Sequence, residues 1–553
     1  MAAPVNLPWE APWKQLEMLK NPKELHRARR MWVFLHDLQK NLSSPPTHSQ
    51  KNQANPVTRG VLYSTVAKLK IGDFKNLRQN GPPYLRPSPA ELTPPPHVRR
   101  ESSKRASAMT TAVSAPGKVF LAGGYLVLDR AYTALVFGLS ARIHVLVQDI
   151  DTSSGVELSE ITVTSPQFRD ATWNYGYHLT GHEGGIEVTQ LQGSPSATVT
   201  SRNPFVETAL QYALTYISCV QPAKGIKPTS VTILADNDYY SHPSSKAIAA
   251  DSKHQFMDFG VRLQDAHKTG LGSSAALVTA FTGAILSHYL AGQFTLSTDE
   301  GRSKLHNLAQ AAHCAAQGKV GSGFDIATAV YGTCLYRRFS PSILSSIGEP
   351  GSPGFATRVK SSVENTDESQ KWDVEISKGK VTIPNGMALV MCDVDCGSQT
   401  VGMVKKVLEW RKQDPADSKA LFDELQSRNE KLAEILSAGD AEAAGPAFSA
   451  IREKIREMGE KSGVPIEPTE QTALLDAVTK NVDGVVGGVV PGAGGYDAIV
   501  LLVKDDKKTM DDIKEFLVKW STEQKSNVKL LGVKGEMDGA RKEDGELYGS
   551  LFN

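Results

Sequence analysis

Cysteine is scarce in this chain: five among 553 residues, Cys219, Cys314, Cys334, Cys392 and Cys396. They are too few and too scattered for a disulfide-stapled scaffold, and the lone C-x3-C at Cys392 and Cys396 has no second pair with which to close a zinc site. The thiols are therefore read as reduced, in a cytoplasmic protein. Long apolar runs are missing too, since Gly, Ser, Thr or Pro breaks each stretch short of the roughly 18 residues that a membrane span needs. No charged-then-apolar leader opens the sequence. Net charge is small, +1 at pH 7, but the balance conceals a division. Residues 1–108 carry 18 Lys and Arg against 7 Asp and Glu, and residues 109–553 carry 43 against 53.

The basic first 108 residues are Pro-rich and irregular, as in NGPPYLRPSPAELTPPPHVRRESSKR, with one amphipathic helix expected over about 21–41. Such composition reads as a largely disordered extension, and the functional chain is expected to begin near Met109. Zinc spacing and aromatic-interleaved basic patterns are absent, so neither nucleic acid nor a membrane is an expected partner. Oligomeric state is not legible.

From Thr111 the pattern becomes regular. AVSAPGKVFLAGGYLVLD reads as strand, glycine turn and strand, with Pro116 and Gly117 setting a turn beside Lys118; ARIHVLVQDI continues in β-like alternation. Helices are expected at Pro204–Ile217, from Ser274, from about Ser303 to Gln317, between Pro415 and Lys461, at Glu470–Lys480 and at Thr509–Trp520. Short strands mix with these helices without a regular βαβ repeat, so the fold class is α+β. The expected division is 1–108 as extension, 109–345 as first domain, 346–378 as a polar linker or insertion dense in Gly, Pro and Ser, and 379–553 as second domain.

The most informative stretch is KTGLGSSAALVTAF, residues 268–281. Gly270 and Gly272 permit a tight backbone path, Ser273 and Ser274 add hydroxyls, and Leu277, Phe281 and Ile285 repeat at helical spacing. A helix N-terminus offers unpaired N–H donors and partial positive charge, a seat for phosphate. It is not a Walker A loop, because the lysine precedes the glycines. A second glycine-rich string, GVVPGAGGYDA at 488–498, allows close approach of backbone to a ligand or to another loop.

Taken in order, SAPGKVFLAGGYLVLD, KTGLGSSAA, AAQGKVGSGFDIATAVYG at 315–332, GSQTVGMVKKVLEW at 397–410 and PGAGGYDA resemble the motifs of the GHMP kinase superfamily, and within it the fungal phosphomevalonate kinases. The resemblance spans about 109–553 and implies a two-domain fold with the active site in the interdomain cleft. It further implies ATP-dependent phosphorylation of (R)-5-phosphomevalonate to the 5-diphosphate, in isoprenoid and sterol precursor synthesis, with Mg2+. Another small-molecule kinase of the superfamily, such as a mevalonate kinase, or an inactive sensor of the same fold, stays open as an alternative.

Roles follow by position. Gly270, Leu271, Gly272, Ser273, Ser274 and Ala275 would cradle the ATP phosphates, and Ser274 falls where mevalonate kinases place a metal-ligating hydroxyl. Lys118 and Lys268 would offset negative charge on ATP and acceptor. Asp325 matches the aspartate that mevalonate kinases use as base, but a phosphate acceptor is already ionised, so here it would orient Lys118 or help hold the metal. Ser322, Ser398, Thr400 and Gly494 are candidate acceptor-binding residues. One departure stands out: Ala312, His313 and Cys314 occupy the region where mevalonate kinases carry a metal-binding glutamate. His313 could contact substrate, but a lone histidine on an alanine-rich helix reads more readily as a core or surface residue. Asp393 and Asp395, alternating in CDVDCG, read as a strand edge running into solvent and are not assigned to the site.

Overall fold

A computed structural model describes residues 110–150, 160–191, 201–241, 246–250, 255–394 and 400–551. The basic extension, its expected helix, Asp395, Cys396 and Ser398 lie outside them. The described residues fall in one compact unit. Among them no helix is long and apolar enough to cross a membrane.

The first strands are β1 (Thr111–Ala122) and β2 (Ala134–Asp149), paired antiparallel along nearly their whole length. Both read as almost continuous apolar runs because they are covered on both faces, and β2 is buried at all but its C-terminal end and Ser140. The expected turn at Pro116–Gly117 is not one. The strand runs through both residues, and a register shift there absorbs the proline and glycine as a bulge. Leu126–Leu128, expected as strand, is a 3-10 turn.

Strands β3 (Glu160–Thr164), β4 (Thr172–Leu179), β5 (Ile186–Gln190) and β6 (Thr229–Ala235) extend the sheet on one side of β2. On the other side stand β7 (Met387–Val394), β8 (Val485–Val489), β9 (Ala498–Lys504) and β10 (Val528–Glu536). The strand order is β8-β9-β7-β10-β2-β6-β3-β4-β5, within a 13-stranded sheet. The two halves join through a short antiparallel register, Gly535 with Leu139 and Glu536 with Gly138.

In the first half, helix α1 (Pro204–Val220) packs on α2 (Ser273–Tyr289) and α3 (Asp299–Gln317), and α2 lies on β1 and β2. α3 starts four residues earlier than expected, because Thr298 caps it by accepting from the Gly301 N–H at 3.1 Å while the polar DEGR turn hides the apolar period. A short helix, α4 (Phe324–Tyr331), follows the glycine turn at 321–323. Residues 346–378 are more than a polar linker: α5 (Phe355–Glu364) buries Phe355, Val359 and Val363 and packs on α1 and α3. Its glycines and prolines mark the turn into the helix, and three buried apolar positions at helical spacing decide its structure.

The second half carries α6 (Thr400–Gln413), α7 (Pro415–Ala438), α8 (Ala441–Ser462), α9 (Thr469–Asn481) and α10 (Lys507–Gln524), all close to the periodicity in the sequence. Leu474, Leu475 and Val478 of α9 and Ile513 and Leu517 of α10 form a separate core with β7 and β9.

Candidate active site

Three glycine-rich segments, far apart in sequence, interlock around β1. The Lys118 N–H donates to the Leu271 carbonyl at 2.9 Å, fastening the glycine loop at 268–275 to the bulged strand. A Cβ on Gly117 would sit 2.9 Å from the Leu271 oxygen. Gly272 has φ +83°, and a Cβ there would lie 2.9 Å from both Cγ and Cε of Lys118. The lysine stem therefore passes through the space that glycine leaves empty. Its ammonium donates to the Gly270 carbonyl at 3.3 Å and stands 5.8 Å from the Phe324 ring centre. On the other flank the Gly492 N–H donates to the Phe120 carbonyl at 3.2 Å, and the Tyr125 hydroxyl donates to the Ala493 carbonyl at 2.6 Å. Gly124 meets the Gly492 carbonyl so closely that any side chain would collide with it.

The loop ends in α2, whose cap residue Gly272 is left-handed and whose first turn receives no side-chain cap. The leading N–H groups thus lack a side-chain acceptor, in an arrangement that suits an anion. Leu271 and Ala275 are each 1% exposed, so only their main chain can serve a ligand. The turn before α4 is held from beneath. Tyr336 donates its hydroxyl to the Ser322 carbonyl at 2.7 Å, and Arg338 donates to the carbonyls of Gly321 at 2.8 Å and Leu128 at 3.1 Å.

These contacts enclose a cavity of about 530 Å³, lined by Lys118, Lys268, Gly270, Ser322 and Gly494 among the residues expected from the sequence. A second cavity of about 220 Å³ lies across the loop, lined by Ser273 and Ser274 together with Trp173, Phe205, Tyr240 and Leu277. Lys268 lines both. Asp325 lines neither, and its Oδ1 accepts from the Ile326 N–H at 3.0 Å in the first turn of α4. Thr400 opens α6, and Gly494 owes its lack of a side chain to the Ile466 main chain packed against it.

Electrostatics single out three groups. Burial pulls the Lys118 pKa below the ordinary lysine value, and the Asp325 carboxylate offsets part of that shift. Burial likewise lowers His313, against a raising effect of Asp325. Burial pushes the Tyr240 hydroxyl up to about 12, with a hydrogen bond to Ser273 acting the other way.

The sequence left several residues unassigned. Asp393 lines the larger cavity together with Asp497, where solvent was expected. Tyr125 lies within the first motif but was given no role there, and the aromatic wall of the smaller cavity, Trp173 on β4, Phe205 at the start of α1 and Tyr240, belongs to no motif. His313 is buried, as one of its readings held, but it touches Ser274 and approaches Asp325. Its position twelve residues before Asp325 was the available signal.

Residues 249–333, which include the glycine loop at 268–275 and Asp325, match the family described as GHMP kinases N terminal domain. The chain is 59% identical over 443 residues to the phosphomevalonate kinase of Gibberella zeae, covering 79% of this chain and 98% of that one. It is 49% identical to the phosphomevalonate kinase of Aspergillus fumigatus, with the same coverage of 79% and 98%. Among solved structures, the Lin0012 protein of Listeria innocua shares the fold at a TM-score of 0.56 and 18% identity, covering 79% of this chain and 100% of that one. By sequence, the chain belongs to the phosphomevalonate kinases of the GHMP kinase superfamily.

Proposed function

We propose that the protein moves the γ-phosphoryl group of ATP onto the phosphate of (R)-5-phosphomevalonate, giving the 5-diphosphate and ADP. The observation that carries this reading is Lys268, which borders both cavities, on the loop whose helix N-terminus offers anion-binding N–H groups. One cavity, with Trp173, Phe205 and Tyr240 among polar side chains, suits a purine; the other, lined by Lys118, Lys268 and His267 as well as Asp393 and Asp497, suits a small acceptor that carries both a phosphate and a hydroxyl.

The chemistry asks for positioning more than for a base. An acceptor phosphate with a second pKa of about 6 is already mostly dianionic at neutral pH. One of its oxygens forms the new bond to the γ-phosphorus as the bond to the β-bridging oxygen breaks, and charge spreads over the transferring group. Lys118 and Lys268 stabilise that charge, and the N–H groups opening α2 bind the nucleotide phosphates. Asp325 orients Lys118 through its charge and favours the ammonium form against the effect of burial. Ser322, Ser398, Thr400 and Gly494 belong to the acceptor side of this reading.

Mg2+ takes hard oxygen ligands and keeps several waters, and the Ser274 hydroxyl at the start of α2 suits it as one such ligand. Bound there, Mg2+ would neutralise phosphate charge. The scattered thiols fit a reducing compartment, and we place the reaction in the cytoplasm.

A coupled ADP-release assay against mevalonate, phosphomevalonate and diphosphomevalonate tests the reading. Turnover of phosphomevalonate alone supports it; preference for either of the others overturns it.

A further inference from the structure

We propose that His313 is a positioning residue for phosphoryl transfer, holding the Ser274 hydroxyl and the Asp325 carboxylate in fixed register from within the core. The proposal rests on the phosphoryl-transfer reading above.

Ser274 opens α2 and Asp325 lies in the first turn of α4, two helices that reach the site from different directions. α3 brings one imidazole between them. Its Nε2 lies 3.3 Å from Ser274 Oγ, and its Nδ1 lies 3.8 Å from Asp325 Oδ2, close enough for charge attraction though beyond a hydrogen bond. The ring is 2% exposed and stacks on Phe205 at 5.6 Å between centres and 28° between planes. One turn along α3, the Gln317 amide nitrogen stands 3.2 Å from the same Nε2.

These partners select one tautomer. With the Gln317 NH2 turned to the ring, Nε2 accepts and the ring proton resides on Nδ1, facing the carboxylate. The Ser274 hydroxyl then shares the one Nε2 lone pair with that amide as a second donor, which leaves its oxygen lone pairs for a cation or a phosphate. A residue that merely filled space would have no reason to aim both nitrogens at the two groups the reaction uses. His306, two turns earlier on the same helix, shows the contrast: it is equally buried, yet its Nδ1 meets only the neighbouring Asn307 at 3.1 Å and its Nε2 has no hydrogen-bond partner.

Two measurements decide the matter. The first is a double-mutant cycle on Mg2+–nucleotide affinity, read by calorimetry with a non-hydrolysable ATP analogue so that no turnover enters. Ser274→Ala and His313→Leu should each weaken binding about five- to tenfold, and the double variant should be hardly weaker than either, because the two groups act as a unit. His313→Gln, which can still accept the serine proton, should restore most of the affinity, and His306→Leu should combine additively with Ser274→Ala. Losses that multiply in the Ser274–His313 pair, or a Gln variant as weak as the Leu variant, overturn the proposal. The second needs no variant at position 313. Histidine side-chain 15N NMR of the wild-type protein should show His313 as the Nδ1–H tautomer, with its Nε2 resonance moving on Ser274→Ala; an Nε2–H tautomer, or no response, overturns the proposal even if the Leu variant fails to fold. A protein that passes both but phosphorylates a different acceptor refutes the proposed function and leaves this inference standing.

Discussion

The stem of Lys118 occupies the space that a side chain at residue 272 would need: a Cβ on Gly272 would lie 2.9 Å from both Lys118 Cγ and Lys118 Cε. Two motifs 154 positions apart are thereby one structural unit, and a change in either should disturb both.

Gly272→Ala tests that unit. The left-handed backbone alone costs an L-residue about 1–2 kcal/mol, and displacing the lysine adds to it. Denaturant titration should show a loss of at least that size, with kcat/KM down tenfold or more. A variant as stable and active as wild type contradicts the interlock.

Tyr125→Phe tests the other flank. Its hydroxyl is the donor to the Ala493 carbonyl, and an acceptor left unsatisfied costs about 1–3 kcal/mol. The glycine loop that lines the acceptor cavity should loosen, so the acceptor KM should rise severalfold while the ATP KM stays near its wild-type value. An equal rise in both would mean that the loop serves the nucleotide.

Much of this was legible in the chain itself. Most helices show in the apolar period, and Lys118, Lys268, Gly270, Ser322 and Gly494 do line one cavity. What escaped depends on tertiary pairing. Pro116 and Gly117 are local turn signals, yet β2 pairs along the whole of β1 and turns them into a bulge. Phe355, Val359 and Val363 were obscured by surrounding glycine and proline. Asp393 and Trp173 sit on ordinary strands, where alternation tells which face a residue takes but not that a cavity lies there.

Ser274 and Asp325 should give separable phenotypes. Asp325→Asn removes the charge that supports Lys118 and should lower kcat on the order of a hundredfold or more, the scale of losing one transition-state contact, with ATP affinity little changed. Ser274→Ala should instead weaken Mg2+–nucleotide binding. Interchanged phenotypes would reverse the assignment of the two motifs.

The pH profile follows from the acceptor and from Lys118. Activity should rise through the acceptor's second pKa, about 6, as the dianion forms. The lysine works protonated and burial lowers its pKa, so activity should fall as pH climbs through a value below that of an ordinary lysine. A bound dianion favours the ammonium and raises its pKa again. The alkaline limb of kcat, which reports the complex, should therefore lie at higher pH than that of kcat/KM, which reports the free enzyme. Coincident limbs, or an acid limb that fails to move with a phosphonate acceptor of altered pKa, would contradict this.

The central claim is that the transferred phosphoryl lands on a phosphate oxygen of the acceptor and not on a carbon-bound hydroxyl. Phosphorus NMR of the product formed from phosphomevalonate and ATP reads this directly. Two mutually coupled resonances, the signature of a P–O–P linkage, are the predicted result; two uncoupled monoester signals, placing the new group on the free hydroxyl, would contradict the account.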